Sequence, residues 1–274
     1  MHGMATDVQD QLTPDDAYRL GSTSPAADTC PSARDAVRAF GVMLGPSLVL
    51  HAAWAVGGVV TARAVRDGRV PSRLALAVVA SAAAYRVAVR PWLRAWGATP
   101  EEQITALPGD ESVPEAADQT TRAITIDAPI DQVWPWLAQL GQDRAGFYSY
   151  RWLEDLAGCR MPDERRIHPE WQRREVGETL PLHPATGLEV RRFEAPTSLA
   201  LAGGWSLNLR ELPDGRTRLL ARGRTAPGVV AAAYAALLEL PHFVMERKML
   251  LGIRERTEAL RAAPARARHA GEAP

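Results

Sequence analysis

Phe40 to Ala62 runs 23 residues without a charged side chain, bracketed by Arg38 and Arg63. A helix that crosses the hydrocarbon core of a bilayer needs about 20 such residues. Core helices of water-soluble domains seldom run this far without a polar face. Pro46, His51 and several glycines punctuate the run without shortening it. The chain is therefore expected to hold a membrane helix here and to build the rest of its fold outside the bilayer.

A second uncharged stretch, Leu74 to Tyr85, is followed by Arg86, Arg90 and Arg94, whose spacing puts all three on one helix face. Arginines near a helix end can snorkel to lipid headgroups, and Trp92 and Trp96 stand where an interfacial aromatic belt would be. Two arrangements fit: a helical hairpin whose second limb ends in the interface, or one span followed by an amphipathic surface helix. For a hairpin, Arg63, Arg66, Arg69 and Arg73 in the turn nearly balance the arginines on the outer flanks, so charge gives no orientation. For a single span, the arginines that follow would keep the C-terminal part cytoplasmic. The expected location is the membrane, with that part on the cytoplasmic side.

Composition divides the remainder. Residues 1–38 are polar and aperiodic and are expected to be a disordered tail, residues 39–96 a membrane-anchoring segment, and residues 97–120 a linker. In that linker Pro100, Pro108-Gly109 and Pro114 interleave with Glu101, Glu102, Asp110, Glu111 and Glu115, a mixture that argues against a packed element. Residues 121–262 are long enough for one core, and 263–274 form a second disordered tail. A fragment beginning near Asp118 is thus expected to be soluble and folded. Charge is balanced at 32 basic and 32 acidic groups, which leaves no field for nucleic acid. Cys30 and Cys159 lie in very different segments, so no disulfide framework is expected.

Within 121–262, Ile124 and Ile126 alternate with Ala123, Thr125 and Asp127, the pattern of a half-buried strand. Ala128-Pro129 stops it, and Asp131 can cap a helix carrying Val133, Trp134, Leu137 and Leu140. A second short helix is expected over Tyr150–Leu156. Strands follow at Glu178–Leu182, Leu188–Phe193, Ser198–Ala202, Trp205–Glu211 and Thr217–Arg224, the last two joined at Pro213-Asp214-Gly215. Ala226 to Leu240 is apolar but too short to span a bilayer, so a core-facing helix or loop is expected. The chain closes with a helix from Pro241, with Phe243, Leu250, Ile253 and Leu260 in one stripe and Met245 and Met249 beside it. Glu246, Arg247 and Lys248 are expected on its solvated face. The fold class is α+β: an antiparallel sheet wrapped on a long C-terminal helix, preceded by one or two membrane helices.

This order, with Ile124-Thr125-Ile126-Asp127-Ala128-Pro129 leading into Val133-Trp134-Pro135-Trp136-Leu137, resembles the helix-grip SRPBCC superfamily (START/Bet v 1-like, polyketide cyclase-like). The likeness continues in Gly146-Phe147-Tyr148-Ser149-Tyr150, Pro169-Glu170-Trp171-Gln172 and His242 to Leu250, and covers residues 121 to 261. The resemblance is to actinobacterial members, some with an N-terminal membrane segment. It implies a hydrophobic cavity under the closing helix. It does not fix the chemistry, since the superfamily spans carriers, receptors and enzymes.

No nucleophile elbow, zinc helix or phosphate loop appears, so neither metal nor cofactor is expected. His168 and His183 fall in a loop and near a strand end, and exposed surface positions are expected for both. His242, at the start of the closing helix, could donate to a ligand or act as a base, although a backbone-bonded helix terminus explains it as well. Tyr148, Tyr150 and Trp152 alternate and could line a pocket, as could Trp205, Met245 and Met249; ordinary core filling accounts for the same residues. Trp171 is expected to anchor a loop over the cavity mouth. Two functions remain. One is a membrane-tethered binding or carrier domain for a lipid- or polyketide-like molecule. The other is a cofactor-independent cyclase/aromatase that uses a pocket His or Tyr as acid/base.

Overall fold

The structure, a computed structural model, describes residues 33–156, 158–159, 161–184 and 186–270. The expected N-terminal tail as far as residue 32, with Cys30, and residues 271–274 lie outside them. Helix α1 (Ala33–Arg66) and helix α2 (Arg73–Ala84) form an antiparallel hairpin. Trp54 Nε1 donates to Ser81 Oγ at 3.0 Å and its ring lies 5.0 Å from that of Tyr85. Gly57 lets the helices close up: a Cβ there would meet Val78 Cγ1 at 2.5 Å, the small-residue contact that apolar helix pairs use. Ser47–Arg66 and Arg73–Arg94 are each long and apolar enough to cross a membrane, and only 6% of each is buried. That exposure separates them from the core helices of a soluble domain.

Beyond α2 the helix widens into a π turn (Tyr85–Val89) and resumes as α3 (Arg90–Arg94). Pro91 explains the widening. It offers no N–H, and its ring crowds the carbonyl of Val87, so the Arg90 N–H bonds back to Tyr85 O instead. The extra residue in the turn resets the helix face. Arg90 and Arg94 point into the folded domain rather than to headgroups, and only Arg86 stays exposed. The expectation of three snorkelling arginines is corrected accordingly.

Six strands make one antiparallel sheet: β1 (Asp118–Ile126), β2 (Thr179–His183), β3 (Thr186–Glu194), β4 (Ser198–Leu201), β5 (Trp205–Glu211) and β6 (Thr217–Thr225), in the order β1-β6-β5-β4-β3-β2. Helices α4 (Pro100–Ile104), α5 (Ile130–Ala138), α6 (Arg151–Leu156) and α7 (Val229–Leu237) precede the closing helix α8 (Glu239–Ala270). The helix therefore runs on past Pro264 into the expected tail, just as α1 begins six residues inside the other one. Asp131 does not cap α5; Pro129 holds the cap position without a side-chain bond.

Register sorts the sheet into two faces. Ile124 pairs with Leu219 and Arg122 with Ala221, and Leu219 and Ala221 pair with Leu209 and Leu207. These residues face α5 and α8, whose Trp136, Leu137, Met249, Leu250 and Ile253 complete the core. Gly252 brings α8 against the backbone of Tyr148, a non-glycine residue at φ 53. An added Cβ at 252 would sit 2.4 Å from Tyr148 O.

The outer face carries Arg218, Arg222 and Arg224, and segment 97–117 lies over it. Thr99 and Glu102 form a capping box on α4, and the buried Glu102 carboxylate accepts from Arg218 at 2.7 and 2.8 Å and from Arg210 at 3.1 Å. Asp110 accepts from Arg222 at 3.0 Å, and Arg222 also donates to the Glu102 and Thr105 carbonyls. Glu102, Asp110 and Glu111, read as signs of an unpacked linker, are instead counterions of strand arginines. β1 is consequently buried on both faces rather than one.

A fragment beginning at Asp118 lacks this cover and leaves Arg218 and Arg222 without their carboxylate partners. It is expected to unfold at lower urea than a fragment beginning at Trp92, by roughly the 3–5 kcal/mol that follows the loss of one partner of a buried pair. Circular dichroism in urea measures the difference, and equal midpoints would contradict the covering role.

Candidate functional site

Arg122 on β1 and Glu246 on α8 are buried charges on the two elements that enclose the core; Arg122 has no exposed surface. Arg122 Nη1 donates to Glu246 Oε2 at 2.5 Å and Nε donates to Leu93 O at 2.8 Å. Its guanidinium lies 5.2 Å from the centre of the Phe243 ring. Trp205 Nε1 donates to the other carboxylate oxygen at 2.7 Å. His242 Nε2 stands 3.5 Å from that same oxygen, and His242 Nδ1 is hydrogen-bonded to the Tyr234 hydroxyl. Tyr234, His242 and Glu246 thus form one array. A neutral imidazole satisfies it in a single tautomer, with Nε2–H toward the carboxylate and Nδ1 accepting from the tyrosine.

Burial alone would raise the Glu246 carboxyl, but His242 and Arg122 together hold it well below the usual carboxylate range. Tyr234 moves the other way: burial, then the Glu246 charge, push its hydroxyl above the ordinary phenol value. It remains a donor at neutral pH, and it borders a cleft of about 20 Å³ with Asp118, Gln119, Thr120, Gly223 and Thr225. Around this centre Arg90 binds Glu239 at 2.8 Å and Asp118 at 3.0 Å, while Arg94 pairs with Asp118 and donates to Gln119 O at 2.8 Å. The array therefore sits at the seam where the hairpin joins the domain.

Of the residues expected to line a cavity, His242 and Trp205 belong to this array. Tyr148 and Met249 are in the packed core. Tyr148 donates to Trp136 O at 3.1 Å and accepts from Gln139 Nε2 at 3.0 Å. Met245 flanks Ser149, whose hydroxyl donates to its carbonyl at 2.9 Å. Trp152 is 64% exposed, with Tyr150 beside it at 6.5 Å between rings. These seven residues do not converge on one chamber. The larger cleft, about 170 Å³, is lined by Tyr148, Ser149, Arg151, Asp163, Lys248 and Arg256 among others, and is polar. Glu246 is buried, not solvated, because it falls between Phe243 and Leu250 on the apolar stripe. His168 is not exposed either: it lies 3.2 Å from both Glu164 and Glu170 and stacks on Trp171 at 4.1 Å. Trp171 itself packs on the core. Among the described residues no group of His, Cys, Asp and Glu could hold a metal ion.

Sequence reasoning missed Tyr234, Arg122 and Glu246. For the two charges the signals were present. Arg122 shares the strand face of Ile124 and Ile126, and Glu246 lies three residues from Phe243 and four from Leu250.

No family model matches this sequence, and no curated protein does. Among solved structures it is similar to a polyketide-cyclase-like protein of Corynebacterium glutamicum, determined by solution NMR. The identity is 19% over 59% of this chain and 100% of the other, with a TM-score of 0.26. The description of the fold accordingly rests on the element order and strand register given above.

A second carboxyl outside the array gives a pH signature. Burial, then the charges of Asp155 and Asp163, push Glu154 up to about 7. Its folded value lies above the roughly 4.3 of an unfolded chain, so the folded state alone holds the proton between the two. Stability is expected to fall as pH rises from about 4.3 to about 7 and then level off. Glu246 has the opposite sign: its contribution is present above about 4.3 and is lost as pH falls toward its depressed folded value. Melting temperatures of Glu154→Gln across this range should lose the decline toward neutral pH and keep the acid limb. An unchanged profile would contradict the burial of an uncharged Glu154.

Proposed function

We propose that the protein is a membrane-tethered, helix-grip domain of the SRPBCC type that binds a hydrophobic small molecule through a hydrogen-bonding head. The observation that carries this reading is the Tyr234–His242–Glu246 array at the hairpin–domain seam, next to a small cleft and against two helices of membrane-spanning length. A half-buried tyrosine held protonated, backed by an imidazole and a carboxylate, offers a directed hydrogen bond in apolar surroundings. Binding sites for amphiphiles combine these features. The hairpin supplies the membrane anchor, and the domain lies outside the bilayer.

The array also favours a second reading. Tyrosine, imidazole and carboxylate in series can move a proton: His242 would take it from Tyr234 while Glu246 stabilises the imidazolium. The raised Tyr234 hydroxyl argues for donation over base catalysis, so binding is preferred.

Full-length protein should stay in the membrane pellet after alkaline carbonate washing, and native mass spectrometry after mild detergent extraction should show a co-purified amphiphile. With that amphiphile in hand, Tyr234→Phe and His242→Ala are expected to weaken affinity by about 0.5–1.5 kcal/mol for one neutral hydrogen bond. A loss of turnover of roughly 10²–10⁴-fold at unchanged affinity would favour the catalytic reading. Release of the protein by carbonate would remove the tethering, and an amphiphile bound equally by wild type and both variants would remove the site.

A further inference from the structure

Residues 226–238 hold 13 consecutive uncharged side chains, and Tyr234 is the sole hydrogen-bonding one among them. Such a segment is expected inside a core. Here Ala226, Pro227, Gly228, Val229, Ala232, Ala233 and Leu238 are exposed, Val229 by 86%. Its helix, α7, lies against α1 and α8. On the hairpin, Val49, Val56, Val59, Val60, Leu74, Leu76 and Val79 are exposed as well. The apolar surface thus passes from the two spans onto α7.

Charge and aromatic placement agree on the level. The hairpin turn at 67–72 is the far end of the spans, and the pairing of Trp54 with Ser81 and Tyr85 puts α3 and the early part of α1 at the near end. There the four charges Arg90, Arg94, Asp118 and Glu239 neutralise one another, so that end of the domain offers lipid no isolated charge from this group. Trp92, 55% exposed, packs at a tilt against Phe243, 5.5 Å between ring centres, in the same region, a place where interfacial tryptophans are favoured.

We infer that α7 is a third membrane-contacting element, lying in the bilayer interface beside the hairpin, so that the Tyr234–His242 pair opens toward lipid rather than water. The ligand class follows: an amphiphile already resident in the bilayer, presenting its polar head to Tyr234 without crossing the aqueous phase. α7 is entered through Gly228 at φ 129, where a Cβ would meet nothing within 4 Å, and its first turn has no side-chain cap. The lipid interface, not a rigid protein neighbour, is what covers its outer surface. This inference rests on the membrane tethering proposed above.

The test is nitroxide scanning of the full chain in nanodiscs of phosphatidylcholine and phosphatidylglycerol, with Cys30→Ser and the buried Cys159 left in place. Labels go on Val229→Cys and Ala233→Cys of α7, on Val59→Cys and Leu76→Cys of the hairpin, and on Asp214→Cys at the β5–β6 turn. All five sites are exposed, so the fold tolerates the label. Collisions with oxygen should exceed those with a nickel chelate at 229 and 233, as at 59 and 76, with the reverse at 214. Aqueous behaviour at 229 and 233 with lipid behaviour at 59 and 76 would overturn the inference and leave the tethering intact. Aqueous behaviour at all five would overturn both. Poor access of either reagent to 229 and 233 would put a second copy of the chain on α7 and also overturn the inference.

Discussion

A buried salt bridge joins the three parts of this molecule. Arg122 stands in the middle of β1 on the face that meets the core, and three groups answer its charge: Glu246 of α8, the Leu93 carbonyl of α3 and the Phe243 ring. Removing two charges from water costs several kcal/mol per ion, which only close pairing and further hydrogen bonds offset. That demand fixes geometry. A sliding α8 would take Glu246 from Arg122 and Trp205 together, and a displaced α3 would remove the acceptor for Arg122 Nε. The pair acts less as a source of stability than as a register pin between strand, closing helix and hairpin.

The outer face of the sheet repeats the device in a partly solvated form. Arg218 and Arg222 alternate along β6 away from the core, and Glu102 and Asp110 reach them from the segment before β1. The hairpin is thereby tied to the domain twice, by α3 at the start of β1 and by the cover on the outer face. What composition suggests is a tether, a spacer and a module is in physical terms one body. A ligand-linked change at the seam would be felt by the spans, and a movement of the spans would reach Glu239 and Asp118.

Much of this was legible in the residues. All six strands fall within a few positions of where alternation and turn residues put them, because the core-facing residues of the sheet alternate over most of its length and each turn carries Pro, Asp or Gly. Both long apolar helices were visible from charge-free length. The packed segment 97–117 was not, since Pro and acidic residues mark loops whether or not arginines wait on a strand opposite, and that partner lies more than a hundred residues away. Glu246 and Arg122 were hidden by a habit of reading charge as exposure. Their positions on the apolar stripe and on the isoleucine face are the better guide, and two opposite charges so placed on packed elements imply a pair. The apolar chamber expected under α8 was read from aromatic and Met residues that fill a core equally well, and Tyr148 and Met249 do fill it. Tyr234 lay in a segment whose apolar character pointed to burial, and only tertiary contact with His242 gives it a role.

The central claim is that Arg122 and Glu246 depend on each other, and a double-mutant cycle on Arg122→Met and Glu246→Leu tests it directly. Unfolding of the full chain in detergent gives the three free-energy differences. Each single replacement strands a buried charge and is expected to cost about 3–5 kcal/mol, while the double replacement, which leaves none, should cost less than their sum by the coupling energy. A coupling energy of about 1–3 kcal/mol supports the pin. Additive costs, with no coupling between the two sites, would contradict it.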